Sequence, residues 1–147
     1  MSPEDRNLVQ ILNHLIEVCK NGEKGYREAA EEISSPYFQM RLMEYANQRN
    51  NFAKKLQGIV RSLGGNPGRR GTVKGALHRG WMNIKHSIID KDDLIILECG
   101  RGEDLARRYY EDALGRNLPD EVRLVVERQY QNIQQACDRI HTIYSSE

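Results

Sequence analysis

The chain has 147 residues, 29% of them charged and 7% aromatic, and its 22 Lys or Arg nearly balance 21 Asp or Glu for a formal charge of +1. That composition excludes an intrinsically disordered chain, and the length is sufficient to bury a core without help from a metal or a disulfide. Apolar runs of only a few residues fall far short of the roughly 20 that span a bilayer, and Met1-Ser2-Pro3-Glu4-Asp5 is unlike a signal peptide. A single domain in the cytoplasm is therefore expected.

A first helix is predicted after Ser2-Pro3-Glu4-Asp5, where a capping serine, an early proline and two carboxylates suit a helix start. It runs to about Ile33, because Ser34-Ser35-Pro36 is a stop. A second helix begins at that proline and carries the seam Phe38, Leu42, Tyr45, Arg49, Phe52, Leu56, Ile59 and Leu63 at helical spacing. It ends at Gly64-Gly65-Asn66-Pro67-Gly68, a run of breakers that reads as a flexible connector. Beyond a basic loop, Val73, Leu77, Trp81, Ile84 and Ile88 mark a short amphipathic helix, broken by Asp90-Lys91-Asp92-Asp93. Asp92 or Asp93 is the expected cap of the third long helix, which ends near Gly115-Arg116-Asn117. The fourth opens at Leu118-Pro119-Asp120-Glu121, with Val122, Val126, Gln129, Ile133, Ala136, Ile140 and Ile143 inward. No stretch alternates as a strand does.

A segment occurs twice, as Cys19-x-x-Gly22-Glu23 and Cys99-x-x-Gly102-Glu103, eighty residues apart in the first and third helices. The face Leu15, Cys19, Gly22, Tyr26, Ala29, Ile33 is matched by Ile95, Cys99, Gly102, Ala106, Tyr109, Ala113. Short links join helix one to two and three to four, whereas a long connection joins two to three, so two similar hairpins pack as an antiparallel four-helix bundle of ferritin-like connectivity. Hairpin one covers about residues 4–63, the crossover about 64–91 and hairpin two about 92–145. Arg49 and Gln129, also eighty residues apart, lie mid-seam in helices two and four. An unpaired guanidinium costs several kcal/mol to bury, so Arg49 is expected to meet Glu23 and Glu103 in a central polar layer with Gln129, Tyr26 and Tyr130.

The segments Asn21 to Ala30 and Arg101 to Asp104, the stretch Gly75-Ala76-Leu77-His78-Arg79-Gly80-Trp81-Met82 and the closing Cys137-Asp138-Arg139-Ile140 resemble an uncharacterised bacterial family of ferritin-like four-helix bundles. The likeness covers about Leu8 to Ile143. Membership in the wider superfamily implies a di-iron carboxylate site, with one Glu from each of two helices and a Glu-x-x-His from each of the others. Glu23 and Glu103 match the single glutamates, but the first Glu-x-x-His reads Arg49-x-x-Phe52, and helix four offers only Glu127-x-x-Tyr130 or Gln134-x-x-Cys137. A fixed positive charge repels a metal, so the site reads as degenerate, with an Arg-Glu network in place of iron.

Other chemistry is weaker. Cys19, Cys99 and Cys137 lack zinc-type spacing and read as buried free thiols, and His14, His78, His86 and His141 as surface residues, with His78 and His86 about 12 Å apart along one helix. From Tyr45 to Ile89 there is no acidic residue but there are nine Lys or Arg, among them Arg69, Arg70, Lys74, Arg79 and Lys85, which should form an exposed basic surface. Such a surface suits a weak, nonspecific anionic partner, a homo-oligomer or a protein partner. The expected function is a non-enzymatic, stress-associated binding or interaction protein with no cofactor. The alternative is an iron-handling or oxidase protein that holds iron or another divalent metal at an unusual carboxylate site.

Overall fold

Helix α1 covers Pro3–Glu32 and α2 covers Pro36–Ser62, in a computed structural model that describes residues 1–68 and 91–145. Helix α3 is Lys91–Leu114 and α4 is Asp120–Ser145. Among the described residues these are the only regular elements, so the all-α four-helix architecture is as expected. Each hairpin packs along its length, α1 on α2 and α3 on α4, and the two join mainly through α1 against α3. The short crossover helix with Trp81, and the basic residues Arg69, Arg70, Lys74, Arg79 and Lys85, lie outside the described residues, as does the side chain of Ile143. No helix among the described residues is long and apolar enough to cross a membrane.

The helix starts follow the local chemistry. Ser2 Oγ accepts from the Asp5 amide at 3.0 Å and Pro3 opens the helix, so an otherwise orphaned amide is satisfied and the missing proline N–H costs nothing. Ser35 and Pro36 repeat the device at α2, with Ser35 Oγ accepting from the Phe38 amide at 3.4 Å.

Two boundaries differ from expectation. The run 64–68 is pinned rather than flexible: Asn13 Nδ2 donates to the Asn66 carbonyl at 3.0 Å, the Gly68 amide donates to Asn13 Oδ1 at 2.8 Å, and Gln57 Nε2 donates to the Gly68 carbonyl at 2.7 Å. Gly64 takes a φ of 83°, the left-handed conformation that ends a helix and favours glycine. A Cβ on Gly65 would stand 2.9 Å from both methyls of Val9, so the backbone closes on α1 through the missing side chain. At α3, Lys91 is already helical, so Asp92 does not cap its own helix. Its carboxylate reaches the α1–α2 turn instead, where Oδ1 accepts from the Ser34 amide at 2.9 Å and Oδ2 from the Ser35 amide at 3.2 Å. Turn amides between two helices need an acceptor, and this one arrives from the other hairpin.

The core falls into two apolar groups. One contains Leu12, Leu15, Ile16, Leu56, Val60, Val126 and Ile133, and the other Ala29, Leu42, Ala46, Ile95, Ile96 and Ile140. Arg49, between Ala46 and Ala53, and Glu103, between Cys99 and Ala106, lie where the two groups meet. Replacement Asp92→Ala should cost about 1–2 kcal/mol in urea unfolding, because two amides lose a charged acceptor, while Asp93→Ala should cost less than half as much. Equal effects of the two would remove the cross-hairpin cap.

Candidate functional site

Arg49 and Glu103 close on each other at the centre of the bundle. Nη1 donates to Oε1 at 2.6 Å and Nη2 to Oε2 at 2.7 Å, a two-point ion pair between side chains 1% and 2% exposed. Such planar pairing uses both carboxylate oxygens and suits guanidinium better than ammonium. Burial by itself would push the arginine's pKa down, but the Glu103 carboxylate more than offsets it and holds the cation charged. The pair spans a diagonal of the bundle, because no Cα of α2 lies within 8 Å of a Cα of α3.

The second expected carboxylate stays outside. Glu23 accepts from Lys20 Nζ at 3.1 Å and from Arg27 Nη2 at 3.0 Å, on the flank of α1, and Lys20 continues to Asn50 Oδ1 at 3.1 Å. The sequence carried this signal: Glu23 has a cation at i−3 and another at i+4, whereas the position i−3 of Glu103 is Gly100. Glu103 does have Arg107 at i+4, but that arginine faces Asp104 and Glu111, and Glu103 turns to Arg49.

Gln129 is buried but lies within the first apolar group, between Val126 and Ile133. Its Oε1 accepts from Tyr110 Oη at 2.7 Å and its Nε2 donates to the Phe52 carbonyl at 3.3 Å. Since the Tyr110 proton points to Gln129, the Cys19 thiol donates to Tyr110 Oη, at 3.0 Å. Tyr110, fully buried, is the central tyrosine that pattern reading missed by one residue in favour of the half-buried Tyr109. Tyr130 does not join the central layer: its hydroxyl donates to Glu111 Oε1 at 2.9 Å on the outside, since a residue next to inward-facing Gln129 lies about 100° round the helix. Tyr26 does reach the centre, its ring 5.7 Å from the Arg49 guanidinium carbon. Its buried hydroxyl has no hydrogen-bond partner among the described residues, and neither does Arg49 Nε.

A cavity of about 160 Å³ lies between α1 and α3 over this pair. Gly22, Gly25 and Gly102 thin its walls, Val18, Ala106 and Tyr109 line it, and Arg49, Glu103 and Tyr26 reach it from the bundle centre. A Cβ on Gly22 would rest 3.5 Å from Arg49 Cγ, so the repeated glycine gives the arginine stem its room. All three cysteines are buried and free; burial raises the Cys19 thiol to about 11 and Cys99 further, and burial with the neighbouring Asp104 raises Cys137 to about 12, so none is a nucleophile at neutral pH.

Comparison with known proteins agrees with this architecture. A crystal structure described as ferritin like, diiron-carboxylate proteins from Bacillus anthracis str. Ames is similar over 99% of this chain and 96% of that one, with a TM-score of 0.60 and 14% identity. At that identity the likeness is one of fold. No curated protein matches the sequence. A family model described as Domain of unknown function (DUF2383) matches residues 7–116, most of the chain. The protein thus belongs to the DUF2383 family, carried on a ferritin-like four-helix bundle.

Proposed function

We propose that this bundle is a non-enzymatic binding protein in which an ion pair replaces the di-iron centre and the cavity between α1 and α3 receives a small ligand. The observation that carries the reading is the two-point closure of Arg49 on Glu103. A di-iron centre asks for four carboxylates and two imidazoles at the bundle's middle. Here Glu103 has both oxygens on Arg49, and both oxygens of Glu23 face Lys20 and Arg27. Helices two and four bring Arg49, Phe52, Gln129 and Asn132 to the matching repeat positions, with no imidazole among them. These residues do not fit two iron ions.

The cavity supports the other half of the reading. Its size is close to the roughly 150 Å³ of an engineered apolar cavity that holds benzene. Two donors on residues lining it, Tyr26 Oη and Arg49 Nε, lack acceptors, and buried donors left unpaired cost about 1–3 kcal/mol each. A compact, largely apolar molecule with one hydrogen-bond acceptor matches both features.

Three outcomes are expected. Elemental analysis of protein purified without chelators should find no pair of ions held by the glutamates; about two iron ions per chain, lost on Glu23→Ala or Glu103→Ala, would restore the enzyme alternative. In urea unfolding, Arg49→Ala should cost about 3–5 kcal/mol by stranding Glu103, whereas the paired change Arg49→Met with Glu103→Leu should recover most of it. A cost below about 1 kcal/mol for the single change would mean that the pair is not buried. Phenol, benzamide and cyclohexanone at concentrations ten times Kd should raise Tm by a few degrees, corresponding to about 1.4 kcal/mol. Ala106→Phe, still helical by circular dichroism, should abolish that shift. A flat response from all three compounds, or one that survives Ala106→Phe, would remove the cavity from the proposal.

A further inference from the structure

A second group of ligating side chains lies away from the central pair, on the seam between α3 and α4. Cys137 Sγ donates to Asp104 Oδ1 at 3.1 Å, and His141 Nε2 stands 3.3 Å from the same oxygen. One sulfur, one imidazole nitrogen and one carboxylate oxygen thus lie within 4.8 Å of one another. We propose that Asp104, Cys137 and His141 bind a single zinc-type divalent cation, a site independent of the degenerate centre.

The geometry suits the ion. Bonds of about 2.0–2.3 Å in a tetrahedron place ligand atoms about 3.3–3.5 Å apart, close to the two contacts already present. Cys137 and His141 are four residues apart on α4 and so project from one face, and Asp104 meets them from α3. Thiolate, imidazole and carboxylate together favour zinc or cobalt over calcium or magnesium, which take oxygen ligands. Cys137 is buried while the His141 side chain is 49% exposed, so sulfur sits at the floor and solvent reaches the open fourth position. The His141 ring rests against Gly100, where a Cβ would lie 3.5 Å from Cε1 and a longer side chain would displace it.

Binding breaks the Cys137 S–H bond, forms a sulfur–metal bond and releases the proton to solvent, so Asp104 exchanges a hydrogen bond for a coordinate bond. The site belongs to one hairpin only. Eighty residues earlier the same positions read Lys24, Gln57 and Arg61, which supply no thiolate, imidazole or carboxylate. Arg107 Nη2, 4.0 Å from Asp104 Oδ1, is the competing cation, and its Nε also faces Glu111 Oε1 at 3.6 Å.

The test is titration of the reduced, chelator-washed full chain with cobalt(II) under nitrogen, followed by displacement with zinc. One cobalt per chain should produce a near-ultraviolet thiolate charge-transfer band with visible bands of tetrahedral type, bleached by zinc. Cys137→Ser should remove the charge-transfer band. His141→Ala, at an exposed position where folding is not at stake, should weaken binding by more than the roughly 10–100-fold cost of losing a residue that only orients a ligand. Cys19→Ser and Cys99→Ser should leave it intact, and Arg107→Ala should tighten it. No thiolate band at saturating cobalt, a band that survives Cys137→Ser, or His141→Ala binding as tightly as the parent would overturn the site. Those failures leave the central ion pair and its cavity untouched, whereas two ions lost on Glu103→Gln would overturn the binding-protein reading and not this one.

Discussion

The Arg49–Glu103 pair is the constraint around which the rest of the bundle is arranged. Removing two charges from water is expensive, and their attraction repays it only when geometry is good and both partners are present. Here both oxygens and both terminal guanidinium nitrogens are used, and the contact reaches across a diagonal that the α2 and α3 backbones never close. Apolar residues stack above and below it in two groups, and Gly22 leaves the arginine stem a passage past α1. Either ion alone would be a liability in this core, so the two positions are coupled and should change together or not at all.

The repeat is duplicated in sequence and divided in use. Glu23 and Glu103 occupy matching places, yet one is held half-buried between Lys20 and Arg27 on the flank of α1 and the other is fully buried on Arg49. Glu23 has cations at both i−3 and i+4 and pairs with both, whereas the single i+4 cation of Glu103, Arg107, faces Asp104 and Glu111 instead. Asp104 and Lys24 divide in the same way, leaving a carboxylate in one hairpin and an ammonium in the other. Two halves that share this pattern thus carry different centres of charge.

Helix boundaries and the inward seams were legible because serine caps, prolines and period 3.6 act over a few residues. Arg49 declared itself as a charge in an apolar seam. Partner choice was less legible: Tyr109 and Tyr110 differ by about 100° of rotation, and a pattern counted from Cys99 through Gly102 lands on the wrong one. The pinning of residues 66–68 depends on Asn13 and Gln57, more than fifty and about ten residues away, and composition alone reads that run as loose. Nothing in cysteine spacing pointed to Asp104, Cys137 and His141, because the site is completed across two helices and only Cys137 and His141 share one.

The hydrogen bonds from Cys19 through Tyr110 and Gln129 to the Phe52 carbonyl touch α1, α3, α4 and α2 in turn, each donor already committed to the next acceptor. Apolar faces tolerate sliding, since one leucine packs much like another a turn away. A directed chain does not: moving one hairpin past the other by a single turn, about 5.4 Å, would break the links between α1 and α3 and between α4 and α2 together. Four modest polar groups therefore act as a vernier, fixing the longitudinal alignment of the hairpins that greasy contacts leave free.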